Sequence, residues 1–285
     1  MKILTILCEN KEQAAKDLSL GCDEVILVLK DGCFSALSGC TVEEITAIAK
    51  ENSKRTAVLM NRLFGQEEIE QAQKTLCELL PQVDAVLFAD PALLQQAKLI
   101  HMEHKMIYRP ETLLTSAKDG AWWMAQGLQS VQISPLLTKE EILEIAANVP
   151  HAGLQIHGRL LMSVSKRKLL DAYASYHAGT SLHEKDGLYL REDSREGRMP
   201  VYENAYGTMI YTDYVQESFA YVPEFLAAGL ERFEIDTYTL KDEEIRDAIT
   251  MYRALLDGRT ITDIYAQAHA DLPLSSGYYG QKTIK

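Results

Sequence analysis

Short apolar runs rich in Val, Ile and Leu recur along the chain, and stretches with helical periodicity lie between most of them. The runs are ILTILC (3–8), EVILVL (24–29), TAVLMN (56–61), AVLFAD (85–90), MIYRPE (106–111), SVQISP (130–135), LQIHG (154–158) and RFEID (232–236). Unbroken apolar character predicts strands buried on both faces, as in a parallel sheet. Between them, residues 67–80 place Ile69, Ala72, Leu76 and Leu79 on one stripe. Residues 139–148 do the same with Ile142, Ile145 and the following Val149, and residues 241–256 with Ile245, Ile249, Tyr252 and Leu256.

Start and stop signals agree with this rhythm. Thr41 with Glu44, and Thr138 with Glu141, have capping-box spacing. Asp90 before Pro91 reads as a helix cap and first turn rather than a catalyst. Gly21, Gly127 and Gly229 each close a helical run four residues before Val25, Val131 and Phe233. A constant offset implies one helix-to-strand turn used repeatedly, with glycine as the left-handed residue. Eight strands with helices between most of them predict an α/β fold, a (β/α)8 TIM-like barrel spanning residues 1–285 as a single domain. The alternative is an open doubly wound sheet, but no G-x-G-x-x-G follows the first strand.

One segment breaks the alternation. After strand seven, residues 159–222 hold a polar helix (about 166–177) and then LYLRED, MPVYEN and GTMIYT, which alternate like a small antiparallel meander. Asn204 to Gly207 supply turn chemistry between the last two. An insertion there lies on the C-terminal face of a barrel, where barrel active sites are built.

Composition narrows the function. With 47% hydrophobic and 25% charged residues the chain is globular, not disordered or fibrous. Acidic residues number 41 against 29 basic, a net charge of −12, so nucleic acid would have to be met by a local basic patch. No run approaches the roughly 20 apolar residues of a membrane span, and the N-terminus reads as a first strand rather than a signal peptide. Cys8, Cys22, Cys33, Cys40 and Cys77 have no C-x-x-C spacing. They read as buried free thiols of a cytoplasmic protein.

In a barrel, chemistry belongs at the strand ends. Those positions hold Lys30, Asn61, Arg62, Asp90, Arg109, Glu111, Ser134, His157, Arg159 and Asp236. The mixture suits an anionic small molecule or acid–base work. His157, after an apolar strand and before Gly158, is the sharpest catalytic candidate, with a hydrogen-bonded structural histidine as the alternative. His101 and His104 close a polar helix end, which suits the helix dipole without a metal. No Walker loop, H-E-x-x-H or G-x-S-x-G occurs. Arg159, Lys166, Arg167 and Lys168 form the densest basic cluster; Arg191, Arg195 and Arg198 add to it. Tyr173, Tyr176, Tyr189, Tyr202, Tyr206, Tyr211 and Tyr214 are interleaved. Cations with aromatics can follow a phosphate backbone and stack bases; the alternative is a solvated surface whose tyrosines pack the meander.

IHGRLLMSVSKRKLLDAY (156–173), GLYLRED, YENAYGTMIYT and VPEFLAAGLERFEID together resemble peptidase family U-32, the collagenase-like proteins. His157, Gly158, Ser163 and Ser165 match the family stretch E-x-x-x-H-G-x-x-C-x-S-x-S-x-x-C. Pro223, Glu224, Ala228, Gly229, Phe233, Ile235 and Asp236 echo a later one, and SSGYYGQKTIK (275–285) resembles the tail of short members. The chain departs from the family at Gly153 (usually Glu), at Leu161 and Lys168 (usually cysteines of an iron–sulfur cluster), at Glu234 (usually Lys) and at Thr237-Tyr238 (usually Gly-Arg). No cysteine follows Cys77, so the family's cluster is not expected on this chain.

The resemblance is to the short, clusterless branch. It implies oxygen-independent hydroxylation of the tRNA wobble uridine, with prephenate as co-substrate, tRNA as a partner and a longer iron–sulfur paralogue alongside. A homodimer is a further partner state. A collagenase-like peptidase (a hydrolase) and a non-catalytic scaffold are the alternatives. His157 and Asp236 are the expected catalytic residues. Arg159, Lys166, Arg167, Ser163 and Arg109 are the expected substrate-binding residues, and no metal ligands are expected.

Overall fold

The computed structural model describes residues 2–177, 179–182, 185, 187–193, 196–261 and 264–281. Arg195 and the last four residues of the chain's ending fall outside them. The chain opens as seven parallel strands, β1 (Ile3–Cys8), β2 (Glu24–Val28), β3 (Arg55–Met60), β4 (Ala85–Phe88), β5 (Met106–Tyr108), β6 (Ser130–Ile133) and β7 (Ala152–His157). Helices α1 (Lys11–Leu20), α2 (Val42–Glu51), α3 (Ile69–Leu79), α4 (Pro91–Leu99), α5 (Ala117–Met124) and α6 (Lys139–Asn148) alternate with them. An excursion follows, with β8 (Leu161–Ser165), α7 (Leu169–Tyr176), β9 (Tyr189–Leu190), β10 (Met199–Asn204), β11 (Gly207–Tyr211) and β12 (Val215–Gln216). The chain then returns through α8 (Val222–Ala228) to β13 (Arg232–Ile235), which pairs with β1 and β7 and closes an all-parallel eight-stranded barrel. Helices α9 (Asp242–Leu256) and α10 (Tyr265–Ala268) finish the outer layer, and β14 (Leu274–Ser275) pairs with β12.

The local signals are honoured. Thr41 and Thr138 form complete capping boxes, and the Asp90 side chain accepts from Ala92 N. Gly21, Gly127 and Gly229 all have positive φ. The fifth strand is shorter than the predicted 106–111, because Pro110 has no N–H to give a ladder and Glu111 turns left-handed at φ 57°. The predicted helix at 166–177 begins only at Leu169. There the fully buried Glu203 accepts from Leu170 N and Asp171 N at 2.8 and 3.0 Å and fixes the first turn.

Side chains alternate between two cores. Leu4, Ile6, Val25, Val58 and Phe233 face outward and pack under the helices. Leu7, Ile26, Val28, Ala57, Leu59, Ala85, Leu87 and Ile107, from β1 to β5, fill one half of the lumen. The other half, walled by β5, β6, β7 and β13, is polar: Arg109, Gln132, Gln155 and Glu234 are all buried there. Gly153 belongs to this wall, because a Cβ there would collide with the Gln132 amide oxygen. At the N-terminal end, Glu24, with no exposed surface, accepts from Arg55 Nε at 3.0 Å and from Arg232 Nη2, joining three strands.

The excursion makes an antiparallel sheet in the order β8–β11–β10–β9 that roofs the C-terminal mouth. Phe34, Leu161, Met209 and Tyr211 form the small core between roof and rim. Removing one partner of a buried ion pair leaves the other charged and unpaired, which costs roughly 3–5 kcal/mol. Glu24→Ala should therefore lower unfolding free energy by about that much in a urea titration; a loss under about 1 kcal/mol would show that the Glu24 layer is not a structural staple.

Candidate functional site

The barrel mouth is organised around Arg109, which is 3% exposed. Its guanidinium donates to Glu234 Oε1 at 2.7 Å and to Glu111 Oε1. Gln132 Nε2 donates to the second oxygen of Glu234 at 3.3 Å. Asn61 donates to Glu111, and its own oxygen accepts from Phe34 N at 3.1 Å. Asp236 is buried on the same side, its Oδ1 accepting from Tyr238 N at 2.8 Å. One guanidinium thus faces three carboxylates.

Burial pushes Glu111 up to about 7; Arg109 opposes the shift, while Glu234 and Asp236 reinforce it. Burial likewise lifts Asp236 to about 6, opposed by the Tyr238 amide and Arg109. Burial alone would discharge Arg109, but Glu111 and Glu234 outweigh it and hold it charged. Cys33 borders this interior, and burial raises its thiol to about 12, so it offers no thiolate near neutral pH. Tyr211, from the roof, lies above the carboxylates with its hydroxyl accepting from Ala36 N at 3.0 Å and its ring 4.4 Å from that of Tyr238. Glu111 and Asp236 are thus buried acids beneath a roof tyrosine that hold their protons more tightly than free carboxylates.

The expectation that His157 and Asp236 line one pocket is corrected by the register of β7. Glu234 pairs with Gln155, but Ile235 pairs with His157, so Ile156 is an extra residue. The bulge turns His157 outward. Its Nδ1 meets Tyr252 Oη at 3.3 Å and its Nε2 meets Tyr265 Oη at 3.1 Å, with Phe219 alongside. Burial, aided by His269, lowers it to about 3, so it is a neutral structural group. Gly158, at φ 99°, follows because a Cβ would strike Asp236 O.

The other candidates separate too. Arg159 is buried, donating to Thr239 Oγ1 at 2.8 Å and Thr212 O at 2.7 Å; it fastens the roof to the rim rather than meeting a polymer. Ser163 is exposed on β8, and Lys166 and Arg167 are exposed beyond it. Only Arg109 and Asp236, among the expected site residues, share the lumen. Sequence reading missed Gln132 and Gln155, although the inward half of each strand's alternation marks them as luminal.

A model of peptidase family U32 matches residues 12–279. The chain belongs to peptidase family U32. It is also 26% identical over 222 residues to the tRNA hydroxylation protein P2 of Bacillus subtilis, covering 76% of this chain and 72% of that protein. Among solved structures, phosphoribosylanthranilate isomerase of Thermotoga maritima aligns with a TM-score of 0.50 at 13% identity, over 90% of this chain and all of that one. The Thermus thermophilus isomerase gives 0.51 at 11% identity, over 91% and 100%. At such identities these two describe the barrel alone.

Against the U32 pattern, the departures at Gly153 and Glu234 fall together on the polar lumen wall. The positions of the family's first two cluster cysteines hold Leu161 and Lys168 on and beside β8, and neither is a thiolate. Cys8, Cys22, Cys33 and Cys40 are buried in the first two strand–helix units. Among the described residues, no group of three or more His, Cys, Asp or Glu side chains is placed to hold a metal ion.

The raised carboxylates set a pH dependence. Between about pH 4 and 7 the folded protein keeps protons on Glu111 and Asp236 that the unfolded chain has released. Their contribution to stability therefore falls as pH rises through that window and is flat above it. Glu111→Gln should gain on the wild type by about 2 kcal/mol between pH 5 and 8, read as the difference of urea unfolding free energies. Parallel pH curves for the two proteins would refute the shift.

Proposed function

We propose that this U32 chain works in the oxygen-independent hydroxylation of the tRNA wobble uridine, as the clusterless partner of a longer, cluster-bearing family member. The observation that carries the reading is the match to the tRNA hydroxylation protein P2 over 222 residues. The roof supports it. Lys166, Arg167 and Lys168 are exposed beside α7, on which Tyr173 and Tyr176 are 59% and 87% exposed. Cations that follow phosphates and aromatic faces that stack bases are what a single-stranded RNA loop requires. In a chain of net charge −12, so local a patch is where RNA can be met.

With no thiolates at 161 and 168, the redox step is assigned to the partner, and this chain's share is to hold substrate and move protons. A dicarboxylate co-substrate such as prephenate suits the rim and roof cations, because the lumen already sets three carboxylates against Arg109. Among the described residues no helix is long and apolar enough to cross a membrane; work on tRNA would place the protein in the cytoplasm. A peptidase reading gains nothing from the geometry. Both ring nitrogens of His157 are taken by tyrosine hydroxyls in the outer layer, while Ser163 and Ser165 stand on the roof.

The gene should be deleted alone and together with that of the longer paralogue, and hydroxyuridine-derived nucleosides in tRNA measured by mass spectrometry. Modification should fall in the single deletion and disappear in the double. Unchanged levels in every strain would remove the proposal.

A further inference from the structure

A cleft of about 420 Å³ opens on the C-terminal rim between the loops after β2 and β3, and its lining includes Tyr206 from the roof. That volume lies in the about 300–1,000 Å³ range of small-molecule sites. We propose that this cleft binds a single pyrimidine nucleotide, its ring beside Tyr206 and its phosphate toward Lys30 and Lys166.

Arg62, in the lining of the cleft, is 5% exposed. Its guanidinium lies 3.9 Å from the Tyr206 ring centre and 4.5 Å from that of Phe64. Nη1 donates to Glu68 Oε1 at 2.6 Å, and Nε is buried with no acceptor among the described residues. The Glu68 carboxylate and the rings of Phe64 and Tyr206 hold Arg62 in place at the cleft. The stacked Phe64, Arg62 and Tyr206 make a platform of the kind on which planar rings lie. Val42, Met60 and Ala72 give the lining an apolar part, and Gln71 and Thr75 add donor and acceptor groups able to read a ring edge.

Anion chemistry stands at the same rim. Lys30 is exposed in the lining beside Asp31; the Gly65 amide and Arg62 favour the ionised form of Glu68, and Lys166 adds to that. Tyr206 sits at the β10–β11 hairpin tip, where Gly207 packs on Ser165 and Lys166 backbone. Ring and cation are therefore presented by the same seated roof. The choice of uridine as the base rests on the tRNA reading above; the demand for a ring with an anion does not.

The test is calorimetric titration of the purified full-length protein with UMP, uridine, inorganic phosphate and a uridine pentanucleotide. UMP should bind more tightly than uridine or phosphate alone. Lys30→Glu and Tyr206→Ala should each weaken it about tenfold, the loss expected for one phosphate contact or one base–ring stack. Thr75→Trp should abolish it by filling the cleft, and Lys118→Glu, elsewhere on the surface, should change nothing. Tighter, salt-sensitive binding of the pentanucleotide would identify the source as an RNA strand, and equal binding a free nucleotide; both support the site. Absence of UMP binding, phosphate binding as tightly as UMP, or unchanged affinity in Lys30→Glu would overturn it. Lys30 is exposed, so that variant stays informative if Tyr206→Ala loosens the roof. The titration needs no tRNA modification, so this proposal and the hydroxylation reading can fail separately.

Discussion

Arg109 sustains the interior of this barrel. A guanidinium presents its donors in a fixed fork, so one side chain can serve two carboxylates from different strands. Here it joins Glu111, beyond the end of its own strand, to Glu234 on β13. Without that charge, Glu111, Glu234 and Asp236 would be buried like charges, and the wall would have to protonate them or admit water. The division of the lumen follows from it. Charges collect where β5, β6, β7 and β13 meet, and Leu7, Ile26, Leu59 and Leu87 pack the opposite side as an ordinary apolar core. The raised affinity of Glu111 and Asp236 for protons follows from the same burial.

The roof is a second consequence. Buried carboxylates at a barrel mouth need shielding, and Tyr211 of the excursion lies over them against Tyr238 of the loop after β13. Its attachment is polar and specific. Arg159 binds Thr212 and Thr239, and Gly158 exchanges two backbone hydrogen bonds with Gln216 at 3.2 and 2.8 Å. Arg62 then stacks on Tyr206 at the hairpin tip. The roof thereby carries cations and aromatic rings to the rim of a strongly acidic protein, and the exposed basic turn at Lys166–Lys168 stands apart from the luminal acids.

Within family U32, the chain's substitutions are spatially ordered. Gly153 is occupied sterically by Gln132, and Glu234 takes its charge partner from Arg109. A luminal lysine is thus replaced by a carboxylate whose countercharge comes from across the barrel. The lost cluster cysteines are separate, on and beside β8 of the roof.

The eight barrel strands, the capping boxes at Thr41 and Thr138 and the repeated glycine turns were written locally, because burial on both faces makes unbroken apolar runs and caps bond within a few residues. The strands and the excursion could be counted from those signals, but closure rested on β13 pairing with β1. The site was less legible: Arg109, Glu111, Asn61 and Asp236 stood out as strand-end residues, yet nothing local paired Arg109 with Glu234 or Arg62 with Tyr206. His157 shows the limit most clearly, since its motif marks it for chemistry while one extra residue in β7 turns it away from the lumen. Sequence by itself determined which segments become strands and helices and which residue types reach the rim. Tertiary structure decided the facing of each strand end and the partner of each charge, because bulges and cross-barrel ion pairs depend on register between strands far apart in the chain.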